Sequence, residues 1–147
     1  MADEKARSLK AFMREELLRR EPVKYVASKR MKDDDGKPIE WELRVLTNDE
    51  VEEIVDRNTK RVPVKGTREF KKETDTEAVF LDVAVAAVTY PNLNDGELQE
   101  FYGAAGAEHL LKKLLTPGEL TDLLLAAQQA CGYDIGMGDK VKTVKNY

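Results

Sequence analysis

An α+β fold, with a small N-terminal antiparallel β-hairpin or sheet packed with a mainly helical C-terminal half, is predicted by three features of the chain. Ile39, Trp41, Leu43 and Val45 alternate with Glu40, Glu42 and Arg44, the period of a half-buried strand. Beyond residue 74 the apolar residues recur at helical spacing, behind start signatures at Thr74–Glu77, Asn94–Glu97 and Thr116–Glu119. Between the halves, residues 59–73 are densely charged and carry Pro63 and Gly66, which suits an irregular edge hairpin better than a core strand.

The first element read from the N-terminus is an amphipathic helix over Ser8–Arg20. Leu9, Phe12, Met13 and Leu17 share one of its faces, while Arg14, Glu15 and Arg19 point away. Glu21-Pro22 ends it, because proline disfavours the helical region for the residue before it. Three fates remain open for this segment: docking on its own core, binding a partner, or staying unordered. The chain divides accordingly into a detachable N-terminal helix (residues 1–21), one α+β domain (22–133) and a flexible tail (134–147).

Val23–Met31 and Ile39–Leu46 form the expected hairpin, joined by a turn around Asp35-Gly36 with Pro38 excluded from mid-ladder positions. The run Asp33–Asp35 lacks the alternating ligands and the distal glutamate of an EF-hand loop, so it reads as turn chemistry. Thr47–Glu50 is a capping box, with Leu46 and Val51 placed to form a hydrophobic staple around it. The helix it opens runs to about Asn58, a residue suited to a left-handed cap. A second capping box at Thr74–Glu77 opens a central core helix that continues to Tyr90. Val79, Phe80, Val83, Ala84, Ala87 and Val88 form its wide apolar arc, and Pro91 stops it. Leu98, Phe101 and Tyr102 are the packing residues of the next helix, with Gly103 as its cap. Leu110, Leu111, Leu114 and Leu115 then line a further one. Thr116-Pro117-Gly118-Glu119 combines an N-cap, a proline at the first helical position and a box glutamate. Leu120, Leu123, Leu124, Ala127 and Cys131 form the inner face of the last helix, and Gly132 follows its end.

Composition narrows the function classes. The chain has 147 residues, 41% hydrophobic and 35% charged, the range of a single globular domain. One cysteine excludes an internal disulfide and suits a reducing compartment. The charged N-terminus has no apolar signal region, and no apolar run approaches the ~20 residues of a membrane span. A cytoplasmic protein without membrane contact is expected. Residues 1–73 carry 19 Lys/Arg against 17 Asp/Glu, whereas residues 74–147 carry 5 against 11. The acidic second half argues against a nucleic-acid footprint. His109 is the sole histidine and stands in a helix without a second soft ligand, so neither a zinc site nor a histidine-based triad is expected. No catalytic constellation, cofactor or metal is expected, and binding is the default.

Several local stretches together carry a resemblance. In the hairpin they are Ser28–Asp33, Gly36–Ile39 and Trp41–Arg44. In the helical half they are Tyr90–Leu93, Glu97–Gln99, Tyr102-Gly103, Gly106–Glu108, Leu114–Glu119 and Gly132-Tyr133. In order and spacing the chain resembles the XkdN-like tail assembly chaperones of PBSX-related Bacillus prophages. The resemblance implies a non-virion protein that coats the helical tape-measure protein, keeps it soluble and helps bring tail-tube protein to it. It also leaves room for a homo-oligomer. Leu9, Phe12, Met13 and Leu17 are the expected partner-binding residues. The rival readings are a cytosolic adaptor for helical partners, a small enzyme with a polar site near His109, and a structural tail component.

Overall fold

The alternation at Trp41–Leu43 marks the middle of the sheet. The computed structural model describes residues 7–133. Its strands are β1 (Val23–Tyr25), β2 (Trp41–Leu43), β3 (Thr59–Pro63), β4 (Phe70–Thr74) and β5 (Val88–Tyr90). Its helices are α1 (Asn48–Arg57), α2 (Thr76–Ala87), α3 (Gly96–Tyr102), α4 (Ala107–Leu114) and α5 (Pro117–Ala130). β2 is the central strand of a three-stranded antiparallel sheet ordered β1-β2-β5, with Tyr25 opposite Trp41 and Tyr90 opposite Glu42. Central placement suits it, because Trp41 and Leu43 are large apolar side chains and both are fully buried. The α+β reading holds, with a third strand supplied from the helical half.

The hairpin turn forms as its chemistry demands. The Asp33 carboxylate accepts from the Asp35 and Lys37 amides, each at 2.9 Å, and Gly36 takes a positive φ of 80°.

α2 is the core helix. Val79, Leu81, Val83, Ala84 and Ala87 are buried, and the helix packs against α1, α4 and α5. One apolar cluster joins the sheet to α2, α4 and α5 through Leu43, Leu110, Leu111 and Leu123; a smaller one fills the α1–α2 seam with Leu46, Ile54, Val79 and Val83. Burying each of these leucines stabilises the fold by about 1.5–3 kcal/mol.

Several expectations are corrected. The core helix does not reach Tyr90: it stops at Ala87, and Val88–Tyr90 pairs with β2. β-branched and aromatic side chains gain more there by extending the sheet than by adding a helical turn. The cap of α2 is Asp75, whose carboxylate accepts from the Ala78 amide at 3.2 Å. Thr74 is instead the last residue of β4, its hydroxyl 2.8 Å from that of Thr59. Phe80 and Phe101 were expected to pack, yet they are 39% and 80% exposed. Asn58 ends α1 without entering the left-handed region; its side-chain amide donates to the Ile54 carbonyl and to Asp82, both at 2.8 Å. The charged hairpin over 59–73 is a separate two-stranded ribbon, β3–β4, rather than an edge of the main sheet.

Ser8–Arg20 is not a continuous helix. It makes two 3₁₀ turns, Lys10–Phe12 and Glu15–Leu18, separated by an extended Arg14. A helix of this length is marginal in water unless its apolar face is buried, and this face is not. The expected tail at 134–147 lies outside the described residues.

Candidate partner-binding site

Each residue expected to bind a partner lies on the N-terminal segment, and each is exposed. Leu9 is 69% exposed, Phe12 75%, Met13 71% and Leu17 55%, with Leu18 beside them at 86%. Neither 3₁₀ turn contributes a buried residue. Of the fates open to this segment, docking on its own core is not the one observed. Five large apolar side chains stand within ten residues, and among the described residues the segment's hydrogen bonds are local, such as the Phe12 amide to the Leu9 carbonyl at 3.0 Å.

The segment leads directly into β1, an edge strand of the sheet. Beside that edge runs an open groove of about 610 Å³, whose lining includes Tyr25, Val26, Ile39 and Tyr90. Ile39 and Tyr90 also line a smaller cleft of about 180 Å³ that reaches Trp41, Pro91 and Tyr102. Sequence reasoning missed this pair of hollows, because it placed Tyr90 in a helix. The triplet Val88-Thr89-Tyr90 before Pro91, rich in β-formers, was the available signal.

Two arginines hold the frame around these surfaces. Arg30 donates to the Leu114 carbonyl at 3.2 Å and to Glu119 at 2.9 Å, tying the hairpin to the corner between α4 and α5. Arg44 donates to the Ala86 carbonyl at 3.1 Å and to both carboxylate oxygens of Glu50, joining β2, the end of α2 and the start of α1. Glu50 and Glu119 are the box residues of their helices, so each also accepts from a cap backbone amide, Thr47 and Thr116 respectively. The Arg44 hydrogen bonds first, and the Thr47 amide next, hold the Glu50 carboxyl at about 2; Arg30 leads in holding Glu119 at about 2. The perturbed carboxylates are thus caps locked by arginine, which is architecture.

His109 accepts at Nδ1 from the Ala105 amide at 2.9 Å, closing the start of α4, where Gly106 has no side chain to cap with. Cys131 is half-buried and packs against the α1–α2 seam. Among the described residues, no three His, Cys, Asp or Glu side chains are grouped to hold a metal ion, and no helix is long and apolar enough to cross a membrane.

This arrangement matches a known family. The model of the phage XkdN-like tail assembly chaperone proteins covers residues 9–145. The chain belongs to that family. Similar proteins include YqbN of Bacillus subtilis (strain 168), 30% identical over 98% of this chain and 97% of its own length. The phage-like element PBSX protein XkdN from the same strain is 28% identical over the same shares. A crystal structure of YqbN is similar in fold, with a TM-score of 0.66 and 26% identity over 78% of this chain and 87% of that one. The family match begins at Leu9, so the exposed apolar segment lies inside the XkdN-like region rather than ahead of it.

Proposed function

We propose that this tail assembly chaperone binds the tape-measure protein in the host cytoplasm, keeps it soluble and assists tail-tube assembly, acting by binding and not by catalysis. The observation that carries the reading is the exposed set Leu9, Phe12, Met13 and Leu17 on an N-terminal segment with no buried residue. Their spacing is that of one helical face. A helical partner with an apolar stripe supplies the burial that the segment lacks, and the two 3₁₀ turns then join into one amphipathic helix. Ordering the segment on contact costs conformational entropy, which keeps the complex reversible, as a chaperone that leaves the finished tail requires. Tail-tube protein is the second partner on this reading.

Co-expression with the tape-measure protein tests it. The wild-type chain is expected to keep the partner in the soluble fraction and to co-purify with it. Phe12→Asp combined with Leu17→Asp is expected to lose both while retaining the circular dichroism spectrum of the folded domain. Undiminished solubilisation and pull-down by that folded variant sinks the assignment of these residues. Recovery of the protein in purified virions favours a structural tail component instead.

A further inference from the structure

The ribbon β3–β4 is left unused by this function. Residues 59–74 hold six Lys/Arg against two Asp/Glu, a net +4 in a chain whose total is −4, so the rest of the chain carries −8. The strands pack chiefly on each other, and every residue of β4 is exposed. The register puts Arg61 directly opposite Lys72, and Pro63 opposite Phe70, on one face. Like charges across a ladder weaken the pair that makes them. Arg61 lies 5.0 Å from the centre of the Phe70 ring, which is itself 57% exposed. Among the described residues, none of the ribbon's cations forms an ion pair. This is a basic, aromatic face, the Arg61–Lys72 repulsion offset by the Arg61–Phe70 contact, and it suits an acidic, aromatic counterpart.

The same chain carries that counterpart. On α3, Glu97 and Phe101 are four residues apart and Glu100 is three from Glu97, so the three line one side. All are exposed, Phe101 at 80%. Neither glutamate forms an ion pair among the described residues. Within one molecule the ribbon's main contacts are between its own strands and not with α3. β4 runs into the N-terminal end of α2, whereas α3 follows β5 and Pro91 from the other end. The twelve residues of α2 set those ends about 18 Å apart.

We infer that the ribbon of one copy docks on α3 of the next, Arg61 and Lys72 against Glu97 and Glu100, with Phe70 and Phe101 in the middle of the contact. Different surfaces meet, so the contact either closes reciprocally, each ribbon on the other copy's α3, or repeats head-to-tail in a row or a ring. Duplex nucleic acid is the disfavoured occupant, because the −8 carried by the rest of the chain repels phosphate. The inference stands whether or not the N-terminal segment binds a tape-measure protein.

Sedimentation velocity on the full chain, across concentration and salt, tests it. Wild type is expected to grow in mass beyond a monomer with concentration at low salt, and to fall back to monomer at about 1 M salt, where the Debye length is ~3 Å. Arg61→Glu/Lys72→Glu and Glu97→Lys/Glu100→Lys are each expected to stay monomeric alone. Mixed, they are expected to reassociate, because each reversed patch then finds a complementary one. Should the ribbon variant lose its fold, the α3 variant carries the same expectation. A monomer at every concentration, variants that assemble like wild type, or ribbon-dependent duplex DNA binding without self-association overturns the inference.

Discussion

At the residue scale, stability rests on a few side chains with no room to relax. Leu110 and Leu43 are fully buried in the cluster that joins sheet to helices. Replacing either with alanine is expected to cost about 2–5 kcal/mol, read as a lower urea midpoint at unchanged slope. The two locked caps make an acid-side prediction. Glu50 and Glu119 ionise at about 2 in the folded chain against 4.5 for the free side chain. Folding therefore releases protons in that window. Their contribution is complete above about 4.5, declines as pH falls, and is gone below about 2. Glu119→Gln keeps a box-competent amide and removes the charge that Arg30 holds. Its melting temperature is expected to lie below wild type at pH 7 and to converge on it near pH 2, in a thermal scan at each pH.

At the element scale, what could be read from the sequence was whatever depends on neighbours three or four residues away. The boxes at Thr47–Glu50 and Thr116–Glu119 formed as expected because both partners of each are local. Thr116→Ala is expected to cost about 1 kcal/mol in chemical denaturation by freeing the first turn of α5. Elements decided by distant partners were not legible. β5 exists because Leu43 and Glu42 lie beside it, more than forty residues earlier in the chain. Thr74 lost the capping role to Asp75 because Thr59 claimed it for the ladder. The N-terminal helix had the correct periodicity and no surface to bury it against. Its four candidate residues were readable as an apolar set, whereas the groove beside β1 needed the fold. Because no residue of its two turns is buried, Phe12→Asp/Leu17→Asp is expected to leave the melting temperature of the isolated protein essentially unchanged, within the ±0.5 kcal/mol typical of surface changes. That result separates a binding surface from a structural one.

At the scale of the whole molecule, α2 is the axis: sheet, seam and C-terminal helices all pack on it, while the ribbon stands off one end. Amide exchange should follow that division. The α2 and α5 amides are expected to exchange only through global unfolding, and those of β3–β4 through much smaller openings. The junction of α2 with β5 has a further consequence. Ala87 ends the helix and Val88 begins the strand, with no connecting residue between them. The chain therefore has no slack there with which to absorb a change of length. One alanine inserted between Ala87 and Val88 must either turn the helix by about 100° or reverse every side chain of the strand, since the two periods are 3.6 and 2. The same insertion beside Gly66, at the exposed ribbon tip, alters only a loop. Expression of the two insertion variants should give an insoluble chain in the first case and a folded one in the second. A length change there is a frame error in space, and the tolerance of this small protein to insertion is set by where its chain has spare residues.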